Sequence, residues 1–93
     1  MLSRIPIDLA SIPQGARDRE ILRAAIIAEL DAISLYEQLA AMSGDKDLKL
    51  VFMDIAKEEK THMGEFQTLL LRIDKEQEAE LAAGKKEVDE LTK

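Results

Sequence analysis

Apolar residues recur every three or four positions in two long stretches of this chain, the spacing of one helix face. The first stripe runs Leu22, Ile26, Glu29, Ile33, Tyr36 and Ala40. The second runs Leu48, Phe52, Ile55, Glu59, His62, Phe66, Leu69 and Ile73. No β-branched or aromatic run alternates with period two, so the pattern predicts helices and no strand. Helix one is expected from an Asp18 N-cap to about Met42, roughly 37 Å long at the helical rise. Ser43-Gly44-Asp45 ends it: Gly44 suits a left-handed residue after the helix, and Asp45 suits the cap of the next. Helix two then runs from about Lys46 to Ile73. So short a loop forces an antiparallel hairpin.

The flanks are less regular. Residues 1–17 hold Pro6, Pro13 and Gly15 and read as an N-terminal leader, an extended arm that either packs on a surface or stays mobile. Residues 18–74 form the hairpin. Residues 75–93 carry Leu81, Val88 and Leu91 at the spacing of a short, weakly amphipathic C-terminal helix, broken near Gly84. The fold class is all-α. Two helices cannot enclose a core by themselves, and the aromatics are only Tyr36, Phe52 and Phe66. Dimerisation into a four-helix bundle is the expected remedy.

Three residues break the apolar stripes. Glu29 sits mid-stripe in helix one; Glu59 and His62 form a Glu-x-x-His pair mid-stripe in helix two. Burying an unpaired carboxylate costs several kcal/mol, so these positions need a partner. In an antiparallel hairpin the two middles meet. A lone Glu and a Glu-x-x-His on facing helices are half the ligand set of a di-iron carboxylate bundle. A twofold dimer supplies the other half and the missing core together. Four carboxylates and two imidazoles suit iron or manganese better than zinc. Glu58 and Glu65 fall toward the stripe's edge and read as solvated carboxylates. Tyr36 has two readings of equal weight: a hydrogen bond to a metal ligand, or core filler.

Composition narrows the classes. The 93 residues carry a net charge of −6, with no basic patch interleaved with aromatics, so nucleic acid is not an expected partner. Cysteine is absent, which removes disulfides, thiolate zinc sites and thiol catalysis. The first residues lack a signal peptide's apolar run, and no apolar stretch approaches the length of a membrane span. A cytoplasmic location is expected.

Ala28-Glu29-Leu30-Asp31-Ala32-Ile33-Ser34-Leu35-Tyr36-Glu37-Gln38, followed by Glu58-Glu59-Lys60-Thr61-His62, resembles the encapsulated ferritins. These are two-helix members of the ferritin-like superfamily, housed in encapsulin nanocompartments. The resemblance covers about Arg19 to Asp74, with the same separation between the lone Glu and the Glu-x-x-His. It implies a ferroxidase whose catalytic and metal-binding residues are Glu29, Glu59 and His62, with a di-iron site shared between two subunits. It also implies dimers assembled into a higher ring, a decamer, which depends on an encapsulin shell protein to store the oxidised iron. The family commonly has an acidic residue where this chain has Ala28, while Asp31 keeps a second acidic position, so metal access differs. Leu35 stands where a relative has tryptophan, which alters packing at the subunit contact. Lys85 to Lys93 resembles the end of the ferritin-like domain in archaeal relatives fused to the shell protein, so two forms stay open: an encapsulin cargo protein, or a domain of such a fusion.

Two other readings compete. One is a peroxide-reducing di-iron protein in the manner of rubrerythrins, which usually carry a four-cysteine rubredoxin module. The other is a metal-free helical scaffold, with Glu59 and His62 a buried hydrogen-bonded pair.

Overall fold

The computed structural model describes residues 9–93. A short 3₁₀ turn (Leu9–Ser11) leads into α1 (Gln14–Met42), α2 (Lys46–Ile73) and α3 (Lys75–Leu91). Among the described residues every element is helical, as the two stripes predict.

Helix α1 begins four residues before the expected Asp18 cap. Pro13 lacks an N–H to leave unsatisfied, and its carbonyl accepts from the Ala16 N–H at 2.9 Å. Arg17 ties this first turn together, donating to Gln14 Oε1 at 2.9 Å and to the Ile12 carbonyl at 3.2 Å. Gly15 therefore lies inside a helix instead of interrupting a leader. The rest of the leader, residues 1–8, lies outside the described residues.

The turn between the arms is held by side chains. Asp45 caps α2, its Oδ1 accepting from the N–H groups of Asp47 at 2.7 Å and Leu48 at 3.3 Å. Lys49 Nζ reaches back to the Ala40 carbonyl at 3.0 Å, which also accepts from the Ser43 N–H at 3.3 Å, so the end of α1 is tied to the start of α2. Gly44 does not take the expected left-handed conformation: no described residue has positive φ. The chain leaves α1 through an extended Ser43 instead.

The arms pack antiparallel along their length. Ala40 and Ala56 are buried where small side chains let the backbones approach. Tyr36 stacks on Phe52 with ring centroids 6.1 Å apart. Asp74 ends α2 and begins α3, its carboxylate accepting from the Gln77 N–H at 3.0 Å. Helix α3 continues unbroken through Gly84; a single glycine costs a helix only about 1 kcal/mol, which does not stop it.

The hairpin has only the beginnings of a core. Ala40, Ala56 and Leu70 are the buried apolar residues among those described, while Leu48, Leu69 and Ile73 of the second stripe are about half exposed. The radius of gyration is 16.5 Å, against about 12 Å for a compact domain of this length. Part of the second stripe thus stays open to solvent.

Candidate metal centre

Seven residues along each arm separate the Tyr36–Phe52 contact from Glu29 and Glu59, so antiparallel register brings the two carboxylates level. His62, one turn beyond Glu59, reaches the same place. One donor atom from each of Glu29, Glu59 and His62 lies within 4.8 Å of the others. His62 Nδ1 stands 3.5 Å from Glu59 Oε2 and 3.8 Å from Glu29 Oε2. These spacings exceed a hydrogen bond. They match the spread of donors around one cation, where bonds of about 2.1 Å put neighbouring ligand atoms roughly 3 to 4 Å apart.

Burial sharpens the contrast. The side chains of Glu29 and Glu59 are each 19% exposed, and that of His62 is 47% exposed. Glu29 Oε2 is fully enclosed and accepts no hydrogen bond. An enclosed carboxylate oxygen without a donor is costly and calls for a compensating positive charge. Two carboxylate oxygens and one imidazole nitrogen are hard and borderline donors, suited to a divalent first-row metal. The donor set fits iron.

The neighbouring acidic residues do not join the cluster. Glu58 and Glu65 are exposed, as expected of solvated carboxylates. Asp31 is buried on α1 but lies outside the group. Tyr36 spends its ring on Phe52 and donates no hydrogen bond to Glu29, Glu59 or His62, which favours its packing role. Lys60 Nζ pairs with Glu37 Oε2 at 3.2 Å, a bridge between the arms beside the site that the stripe pattern did not reveal. Both partners lie off the apolar faces, where sequence periodicity carries no pairing signal.

A hairpin of this kind, with a lone Glu opposite a Glu-x-x-His, defines the ferritin-like class. The Rubrerythrin family profile matches residues 20–93. An encapsulated ferritin domain from Pyrococcus furiosus, known from its crystal structure, superposes with a TM-score of 0.84 at 50% identity, covering 99% of this chain and 96% of that one. The chain therefore belongs to the rubrerythrin family of ferritin-like domains, with an encapsulated ferritin domain as a close homologue. Two curated relatives extend the comparison. A ferritin-like–encapsulin shell fusion protein of Pyrococcus furiosus is 59% identical over 73 residues, 78% of this chain. The encapsulin nanocompartment cargo protein EncC of Myxococcus xanthus is 35% identical over 71 residues, 73% of this chain. The matches span 21% and 55% of those relatives' own lengths. Among the described residues no helix is long and apolar enough to cross a membrane.

Proposed function

We propose that this chain is a ferroxidase, taking up Fe(II) and oxidising it with dioxygen at a di-iron site shared between two subunits. The observation that carries the reading is the half-site itself: Glu29, Glu59 and His62 converge, and Glu29 Oε2 is enclosed without a hydrogen bond. The cluster lies on the face whose apolar stripe is unfilled. A twofold dimer of hairpins completes a four-helix bundle, covers the half-exposed Leu48, Leu69 and Ile73, and supplies the second set of ligands.

Charge balance supports two irons. Four carboxylates carry −4 and two Fe(II) carry +4, so the filled site is neutral before the reaction. Each Fe(II) gives up one electron; the pair reduces one dioxygen, which takes two protons from two waters and leaves as hydrogen peroxide, with two Fe(III) and two hydroxides as the other products. Iron is here the substrate. The chain's part is positional and electrostatic. Glu29 and Glu59 hold the two cations close enough to deliver their electrons together, and their negative charge favours the ferric product. His62, one turn beyond Glu59 on α2, supplies the imidazole of each half-site.

The names of the relatives place a ferritin-like domain in one chain with an encapsulin shell, and a cargo protein in an encapsulin nanocompartment. By that likeness the ferric product of this domain passes to an encapsulin shell for storage. The division into a leader (1–17), hairpin (18–74) and C-terminal helix (75–93) is part of the same reading, with the hairpin as the catalytic unit.

Stopped-flow absorbance of Fe(III) formation tests the reaction. Anaerobic protein mixed with Fe(II) and then air is expected to form Fe(III) far faster than buffer alone. Faster oxidation by hydrogen peroxide than by dioxygen would assign it to the peroxide-reducing type instead, and no acceleration by either would leave the metal-free scaffold.

A further inference from the structure

A thioether that the iron chemistry does not use stands beside the metal centre. Met63 follows His62 directly and Glu59 by one helical turn. Residues four apart on a helix have Cβ atoms about 5–6 Å from one another. Helical side chains also lean toward the preceding turn, which for Met63 is the turn that carries Glu59. Ala56 and Leu70, two turns to either side of Met63, are both buried. Met63 therefore falls on the side of α2 that packs against α1.

Solvent reaches the other described methionines more readily. Met42, at the end of α1, is 83% exposed, Met53 is 47% exposed, and Met63 is less exposed than either. Met42 is also remote from the cluster, roughly 20 Å along α1 from Glu29 at the helical rise. An oxidant dissolved in the buffer thus meets Met42 first and Met63 last. An oxidant formed at the cluster meets Met63 first.

We infer that Met63 is a modification site for the hydrogen peroxide formed at the centre, becoming methionine sulfoxide before that peroxide reaches solvent. The inference rests on the ferroxidase reading, which supplies the oxidant. In the step, the sulfur lone pair attacks one peroxide oxygen and the O–O bond breaks. Sulfur loses two electrons and keeps that oxygen; the other oxygen leaves as water with both protons. No further reactant is needed, and sulfoxide reduction reverses the change. Proximity drives it, because a group held beside the point of release reacts as though the oxidant were far more concentrated than in the buffer. Peroxide captured in this way does not go on to generate radicals from incoming Fe(II).

Peptide mass spectrometry after one turnover tests the inference. Two Fe(II) are added in air for every two chains, with catalase in the buffer to destroy escaped peroxide and Fe(III) absorbance followed in the same sample. Cleavage at lysine and arginine leaves Met42, Met53 and Met63 on separate peptides. Met63 is expected to carry about ten times the sulfoxide of Met42. Hydrogen peroxide added to the iron-free chain without catalase is expected to reverse that order. Met63→Leu, which conserves volume, is expected to form Fe(III) at the wild-type rate but to release more peroxide per iron when catalase is omitted. Fe(III) formed with Met63 no more oxidised than Met42 overturns the inference and leaves the ferroxidase reading standing. Equal peroxide release from the two proteins also overturns it. Hydroxylation of Tyr36, Phe52 or Phe66 beside Met63 would reveal radicals and overturn the two-electron step. No Fe(III) at all overturns both readings.

Discussion

Glu29 Oε2 and His62 Nδ1 lie 3.8 Å apart on opposite arms of the hairpin, and the carboxylate oxygen is enclosed without accepting a hydrogen bond. The gap is too wide for a hydrogen bond and right for a shared cation. Neither residue alone distinguishes a metal site from a stray polar group in a helix. Their meeting across the register set by Tyr36 and Phe52 is what supports the proposed metal site.

Removal of a ligand gives the first prediction. Glu59→Ala and His62→Ala should each slow Fe(II) oxidation by more than about 100-fold, because even residues that only orient metal ligands cost 10–100-fold when lost. Helical circular dichroism should be unchanged. Glu58→Ala, at an exposed neighbouring position, should oxidise iron at nearly the wild-type rate. Equal losses at Glu58 and Glu59 would put the wrong face of α2 at the site.

Glu29→Ala should act in opposite directions with and without metal. In the metal-free protein the variant loses an enclosed, donorless carboxylate oxygen, so it should melt at or above the wild-type temperature. With Fe(II) at about a hundredfold excess over its dissociation constant, wild type should gain about 2.7 kcal/mol and the variant much less. Differential scanning calorimetry at one protein concentration reads both effects. Equal gains would remove Glu29 from the site.

The hairpin, its register and the meeting of Glu29, Glu59 and His62 were legible because each rests on one local rule, the recurrence of residues on a helix face. What misled was punctuation. Pro13 and Gly15 read as loop, yet Pro13 starts α1 because a proline gives up nothing at a helix N-terminus. Gly84 read as a break, yet α3 runs through it. The Glu37–Lys60 and Arg23–Asp74 pairs were invisible because they join exposed or junction residues that periodicity does not connect. The second half of the proposed site would come from another chain, and periodicity within one chain carries no signal for it.

The turn offers a paired test of its own geometry. Asp45→Ala removes the side chain that accepts from Asp47 and Leu48, and should cost about 1 kcal/mol in denaturant unfolding. Gly44 has negative φ and open space around its Cβ position. Gly44→Ala should therefore stabilise by about 0.4–1 kcal/mol, through a less flexible unfolded chain. A loss at Gly44 would restore the left-handed turn that the sequence suggested.

Close approach of the arms is equally testable. Ala56 is 1% exposed where α1 and α2 pack. Ala56→Leu should destabilise by about 1–3 kcal/mol, since the extra methyl groups must push the helices apart. The same change at the exposed Thr61 should have little effect on unfolding, which separates crowding from added hydrophobicity.

The central claim is that two chains share one di-iron site, and the count of iron per assembled chain tests it most directly. Anaerobic native mass spectrometry of the protein titrated with Fe(II) reports protein and metal mass in one spectrum. The account predicts that iron-bearing species contain chains in pairs, with two irons for every two chains and no iron-loaded monomer. A monomer that carries iron, or assemblies that form at full strength and bind none, would contradict it.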